Sequence, residues 1–206
     1  WSKILGVFIF SGAAWLSTLC GLTSNNNLLL TLIFAVILYV GYRGYRSRWL
    51  SGQDLTTILR EYARPVEAAF LGLTLFFGII RFVNPEIFWG EKPMDSTFLN
   101  FFVRNEQLPP QDPWAAGSPM SYYYLGIYFM AAVIKVTSIP PSIGYNLAMA
   151  MLAGWIGAAL FSLLLTLTKS KRFSSYGAWI LLLASNPEVL RLSILNLFIG
   201  KQFNFD

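Results

Sequence analysis

Apolar residues along this chain gather in long blocks that short polar stretches separate. Five blocks are long: Lys3 to Gly21, Leu28 to Tyr42, Val66 to Phe82, Tyr122 to Thr137 and Ile143 to Thr168. A helix that crosses a bilayer needs about 20 mostly apolar residues. Each block therefore predicts a membrane span, and the polar turn at residues 23–27 makes a hairpin of the first two.

A sixth apolar region covers residues 176–198 and is broken at Asn186 and Pro187. A helix can restart there, with Asn186 as its cap and Glu188 in its first turn. The chain is 55% hydrophobic and 12% charged, against about 25% charged residues in soluble domains. We predict an all-α, polytopic transmembrane helix bundle of about five or six spans, an integral protein of the cell membrane. Because the chain opens at Trp1, we also expect a fragment or a processed form.

Basic residues set the expected orientation. Five arginines lie between the second and third blocks: Arg43, Arg46, Arg48, Arg60 and Arg64. The positive-inside rule places them in the cytoplasm. Residues 1–65 then form a transmembrane hairpin with a basic cytoplasmic loop, and residues 66–206 form a second transmembrane region with an external loop at 84–121. Strict alternation of spans puts Lys169, Lys171 and Arg172 outside, which leaves room for one re-entrant or interfacial segment.

The net charge of +5 does not indicate a nucleic-acid partner, because the cations cluster between apolar blocks as membrane topology requires. We expect the lipid bilayer as a partner and no nucleic acid. The chain has no histidine, and its single cysteine, Cys20, lies inside an apolar block. These facts exclude an internal disulfide and argue against thiolate zinc sites and Ser-His catalysis.

The external loop carries most of the polar chemistry. It holds five acids and two bases, namely Glu86, Glu91, Asp95, Glu106 and Asp112 with Lys92 and Arg104. Within it, residues 95–104 place Phe98, Leu99 and Phe102 on one helical stripe. This pattern predicts a short helix that lies in the membrane interface.

Three motifs of this loop occur in an order that resembles the Chlor-Arch-YYY (triple-tyrosine) family of polytopic membrane proteins. They are Glu91 to Asp95 (EKPMD), Leu108 to Trp114 (LPPQDPW) and Tyr122 to Gly126 (YYYLG). The same stretch is similar to the first external loop of GT-C class glycosyltransferases, where an acidic motif precedes an amphipathic helix. Leu181 to Pro187 (LLLASNP) also resembles a later GT-C span.

The resemblance implies transfer of a sugar from a polyprenyl-phosphate donor at the external membrane face. Asp95 matches the loop carboxylate of the GT-C enzymes, as a base or as a ligand of a divalent cation such as Mg²⁺ or Mn²⁺, and Glu91 is the second candidate catalytic carboxylate. The expected substrate-binding residues are Lys92, Arg104, Asp112, Trp114, Tyr123 and Tyr124.

Structural roles remain open for the same residues. Asp95 is equally an N-cap for a helix that starts at Ser96, and Asp112 before Pro113 favours a turn. On a helix the three tyrosines would point about 100° apart, which favours an interfacial aromatic belt over a stacked platform. Lys135 is expected to snorkel to phosphates and anchor its span.

A second function class also fits the sequence. The chain is short for a complete GT-C enzyme, it lacks the adjacent acidic pair of many such loops, and small residues crowd its fifth block. These features favour a noncatalytic membrane subunit of a larger complex that uses the loop for docking or lipid binding. A channel or transporter is the weaker reading, because charges within the blocks are few.

Overall fold

The computed structural model describes residues 2–22, 24–46, 59–88, 90–115 and 117–183. Within them the chain forms seven α-helices: α1 (Ser2–Leu19), α2 (Asn27–Arg46), α3 (Arg64–Val83), α4 (Lys92–Arg104), α5 (Leu125–Thr137), α6 (Pro141–Thr168) and α7 (Lys171–Leu183). A π-helical turn, Leu59–Ala63, leads into α3. The predicted all-α bundle is confirmed. The predicted helix restart at Asn186 and the GT-C-like stretch after Leu183 lie outside the described residues.

Three helical segments are long and apolar enough to cross a membrane, namely 27–44, 60–83 and 141–168. They confirm that the chain is an integral membrane protein. Helices α1 and α5 are apolar but shorter. Helix α5 has 13 residues and is therefore about 20 Å long, against a hydrocarbon core of about 30 Å.

The tightest packing in the bundle joins α3 to α6, which run antiparallel. Gly154 of α6 lies directly against α3, so that a Cβ there would overlap Thr74 Oγ1 and come within 3.0 Å of the Phe70 carbonyl oxygen. At one end, Arg81 Nε donates a hydrogen bond of 2.8 Å to Asn146 Oδ1. Small residues allow such close approach of helices, as the sequence of the fifth block predicts.

A second group of helices, α1, α2, α4 and α5, shares a separate apolar core. Its largest buried side chains include Phe10, Leu30, Phe102 and Tyr128. The amphipathic helix α4 contributes Phe98, Leu99 and Phe102, the stripe predicted from the sequence. Helix α4 therefore buries its apolar stripe against protein, chiefly α5.

Helices α4 and α5 run side by side in the same direction. Phe98 contacts Tyr122 near their starts, Phe102 contacts Tyr128 farther on, and Lys135 Nζ donates to the Asn105 carbonyl near their ends. The residue numbers of these contacts thus increase in the same direction along both helices. The chain must therefore double back between them.

Helix α5 ends at the same end of the bundle as α3. Its Ile134 packs against Gly144 in the first turns of α6, and α6 at that level binds the end of α3 through Asn146 and Arg81. We call this the outer end. At the other side of α5, Ser11 Oγ in the middle of α1 donates to the Phe129 carbonyl. Residues 84–140 therefore begin and end at the same end of the bundle, so the segment that contains the predicted fourth span, residues 122–137, makes no net crossing to the other end.

This arrangement removes the conflict over the positive-inside rule. Lys171 lines a cavity with Pro65 and Phe161, so the start of α7 lies beside the start of α3. Lys3 at the start of α1 pairs with Glu67 at the same end, at 2.5 Å. We call this the inner end. Lys169, Lys171 and Arg172 therefore share one membrane side with Arg60 and Arg64, and the rule assigns that side to the cytoplasm.

Cysteine labelling tests this topology in a Cys20→Ser background. A membrane-impermeant maleimide, which reacts with exposed thiolates, should label Glu106→Cys in intact cells and should label Arg172→Cys only after permeabilisation. Arg46→Cys is the matched inner control and should behave like Arg172→Cys. Labelling of Arg172→Cys from outside would show that α5 crosses the membrane.

Candidate functional site

The candidate site is built on the first turn of α4. The helix begins at Lys92 with Pro93 in its first turn, where proline is tolerated because the first N–H groups have no helical partner. The Asp95 N–H donates to the Glu91 carbonyl at 2.9 Å. The alternative in which Asp95 caps a helix that starts at Ser96 was wrong, because Asp95 lies inside the first turn of α4.

The two carboxylates are therefore neighbours one helical turn apart. Asp95 is partly buried, and this desolvation, together with the negative charge of Glu91, raises the pKa of its carboxyl above the ordinary value of 3.8. A carboxylate with a raised pKa accepts a proton more readily than a fully solvated one. Asp95 is thus suited to act as a general base.

Two tyrosines stand next to this pair. The rings of Tyr122 and Tyr123 stack with centroids 4.1 Å apart and an angle of 24° between their planes. The assumption that these tyrosines lie on a helix was wrong, because α5 begins only at Leu125; the three still form no single platform, since Tyr124 packs against Phe102 instead. A hydrogen bond with Tyr123, desolvation and the charges of Glu91 and Asp95 raise the pKa of Tyr122.

Tyr123 and Tyr124 have different environments. Tyr123 is 78% exposed, so its outer face is free to meet a ligand ring. Tyr124 packs against Phe102 with ring centroids 5.3 Å apart. One turn farther, Tyr128 is fully buried and its hydroxyl donates to Asn25 Oδ1 at 3.0 Å. Tyr124, an expected substrate-binding residue, thus packs together with Tyr128 in the apolar core.

Asp112 and Trp114 sit in a turn between α4 and α5. Asp112 Oδ1 accepts hydrogen bonds from the backbone N–H groups of Trp114 at 2.8 Å and Ala115 at 3.3 Å. This geometry confirms the predicted turn role of Asp112. The Trp114 side chain is 64% exposed on the outer loop.

The structure separates the two cations assigned to the donor phosphate. Lys92 lies in the first turn of α4 beside Glu91. Arg104 ends the helix nine residues after Asp95, about 14 Å away along the axis. There it lines a cavity of about 640 Å³ with Glu106 and Lys135. The site therefore unites Glu91, Lys92, Asp95, Tyr122 and Tyr123 and leaves Arg104 at the outer end.

Lys135 does not snorkel to phosphates as predicted. Only 8% of the residue is exposed, and its Nζ donates to the carbonyl oxygens of Asn25 at 2.6 Å and Asn105 at 3.2 Å. The backbone N–H of Asn25 donates in turn to the Glu106 carbonyl at 2.8 Å. These bonds tie the α1–α2 turn to the ends of α4 and α5.

One residue near the carboxylates was missed by sequence reasoning as a site residue. Tyr145 of α6 is buried and lies within electrostatic reach of both Asp95 and Arg81. Arg81 is fixed in place, because its guanidinium donates to Asn146 Oδ1 and, at 3.0 Å, to the Glu86 carbonyl. The separation of Tyr145 from Asp95 along the chain gave no local signal for their proximity.

Glu91 and Asp95 also supply the ligands that a divalent cation would need. Mg²⁺ is often held by one or two carboxylates, with waters and substrate phosphates completing its shell. Among the described residues no group of three or more His, Cys, Asp or Glu side chains could hold a metal. The pair therefore fits a cation shared with a phosphate ligand better than a closed protein cage.

These features define an integral membrane helix bundle in which the start of α4 and the residues just before α5 bring together two carboxylates and two stacked tyrosines. A family model matches residues 9–204 under the description Uncharacterized membrane protein (DUF2298). The chain belongs to this family. No curated protein and no solved structure matches it.

The raised pKa of Asp95 predicts how stability depends on pH. The folded state binds the Asp95 proton more tightly than the unfolded state, so the ionised carboxylate costs stability once the pH exceeds 3.8. Asp95→Asn should raise the melting temperature by about 1–3 °C at neutral pH, and this gain should vanish as the pH falls below that value. Thermal unfolding in detergent measures both.

Glu106→Gln is the matched control for this prediction, since Glu106 is an exposed acid at the other end of α4. Its melting temperature should not rise at neutral pH, because the negative charge of Glu106 acts favourably on the buried Lys135. A lower melting temperature for Asp95→Asn than for the wild type at neutral pH would show that the ionised carboxylate stabilises the folded protein instead of destabilising it.

Proposed function

We propose that this chain is a GT-C-like membrane glycosyltransferase, or part of one, that uses a polyprenyl-phosphate-linked sugar at the external membrane face. The observation that carries the proposal is the Glu91–Asp95 pair on the first turn of α4, with the pKa of Asp95 raised by burial and by Glu91. The reaction itself comes from the resemblance of residues 91–126 to the Chlor-Arch-YYY and GT-C loops.

The proposed step is a single displacement at the anomeric carbon of the donor. Asp95 takes the proton of an acceptor hydroxyl as its oxygen forms a bond to that carbon. The bond between the anomeric carbon and the phosphate oxygen breaks, and polyprenyl phosphate leaves with the electron pair. In the alternative role, Glu91 and Asp95 would hold a divalent cation, and that cation would stabilise the charge on the leaving phosphate.

The stacked tyrosines support binding of a sugar next to the carboxylates. Tyr122 is within electrostatic reach of Glu91 and Asp95, and the exposed ring of Tyr123 extends the same surface. Aromatic rings offer large, rigid contact surfaces with a polar tip. Lys92, in the same helical turn, is positioned to neutralise a phosphate.

A noncatalytic subunit of a larger membrane complex is the second candidate. The aromatic side chains of Trp114 and Tyr123, exposed on the outer loop at 64% and 78%, favour it, because such residues are common anchors of interfaces. In that case the loop would dock another subunit or a lipid, and no sugar would be transferred.

Release of polyprenyl phosphate from a panel of lipid-linked sugars tests the proposal. The protein expressed from its complete reading frame should turn over at least one donor, and Asp95→Asn should reduce kcat roughly 100-fold or more, as loss of a general base does. Glu91→Gln should lower the pKa of Asp95 and shift the acidic limb of the pH–rate profile to lower pH, because it removes a repelling charge.

Glu106→Gln is again the control and should keep wild-type turnover. Loss of turnover in the presence of a chelator would show that the reaction requires a divalent cation. Turnover that survives Asp95→Asn would remove Asp95 as the base. No turnover with any donor, in a protein that is folded by thermal unfolding, would favour the noncatalytic subunit.

A further inference from the structure

An apolar groove of about 550 Å³ runs along the outer part of the α3–α6 pair. Its walls include Gly78, Phe82, Ile143 and Leu147, and Pro85 borders it. Phe82 is 87% exposed and Ile143 is 54% exposed, so the groove opens toward the bilayer. A surface of this kind at membrane depth suits a lipid chain, since apolar groups there need no hydrogen-bond partners.

One cation lies in the wall of the groove. Arg81 is held by Asn146 Oδ1 and the Glu86 carbonyl, both of which belong to the outer end of the bundle. A guanidinium carries five N–H donors and matches phosphate oxygens in pairs. The groove therefore combines an apolar channel with a preorganised site for an anion.

Arg81 is placed differently from the other candidate cation, Arg104. Arg104 lines a separate cavity with Glu106 and Lys135, whereas Arg81 lies in the wall of the apolar groove. Arg81 is thus the better placed cation for a phosphate whose lipid chain lies in that groove.

We propose that the α3–α6 groove binds the lipid chain of a polyprenyl phosphate and that Arg81 binds its phosphate group. This inference rests on the proposed function for its choice of lipid.

Binding without turnover tests the inference separately from the transferase. The protein in nanodiscs is incubated with a polyprenyl phosphate that carries a photoreactive group, and crosslinking is measured against competitors. The unlabelled polyprenyl phosphate should compete, whereas the corresponding polyprenol and inorganic phosphate should not. Competition by inorganic phosphate would show that the site binds free phosphate and does not require the lipid chain. Equal competition by polyprenol would show that the groove binds the lipid chain without using the phosphate. Either result would contradict the proposal.

Two pairs of variants on α3 identify the site. Arg81→Gln should weaken binding roughly 10- to 100-fold, the range for loss of a charged hydrogen bond, and Arg64→Gln, the same change at the inner end, should not.

Gly78→Leu should block the groove at little structural cost, because a Cβ there meets only Ala150 Cβ at 4.0 Å. Gly72→Leu, where a Cβ meets nothing within 4 Å, should leave binding intact.

The outcomes separate this inference from the proposed function. Lipid-phosphate binding that requires Arg81 and an open groove supports the inference even if no donor is turned over. Binding that is unchanged in both Arg81→Gln and Gly78→Leu overturns it, whether or not the enzyme is active. Asn146→Ala serves as a positioning control: it should weaken binding less than Arg81→Gln, because the charge remains while its orientation is freed.

Discussion

The close contact of α3 with α6 is the constraint on which the rest of the structure depends. At Gly154 the two helices approach so closely that no side chain fits between them, and at the outer end Arg81 binds Asn146. An antiparallel pair fixed at both points leaves the start of α6 on the outer side. Since only Ser138, Ile139 and Pro140 separate α5 from α6, α5 must end there too.

The shared direction of α4 and α5 fits that position. Both helices run toward the outer end, where Lys135 binds the carbonyl oxygens of Asn25 and Asn105. A buried ammonium group is stable only when its donors are satisfied, and here it joins three segments that are distant in sequence. This polar network thus fixes the α1–α2 turn and the ends of α4 and α5 next to the apolar core that these helices share.

The same packing creates the electrostatics of the candidate site. Asp95 is partly buried because α4 lies against α5 and near α6, and Glu91 repels it from the preceding turn. The stacked tyrosines lie beside this pair of carboxylates, and Tyr145 of α6 is within electrostatic reach of Asp95. Packing thus raises the pKa of Asp95. Perturbed pKa values of this kind are common among catalytic residues.

The sequence by itself determined the apolar blocks, the acidic external loop, the stripe of Phe98 and Phe102 and the turn at Asp112, because these depend on local composition and spacing. Only the tertiary structure decided that α5 ends at the same end of the bundle as α3, that Tyr122 and Tyr123 stack outside the helix, and that Tyr145 lies within electrostatic reach of Asp95. The hydrophobicity of a segment is a local property that shows it can lie in a membrane. Its direction and its neighbours depend on contacts between distant residues, such as Gly154 with Phe70, which no local pattern encodes.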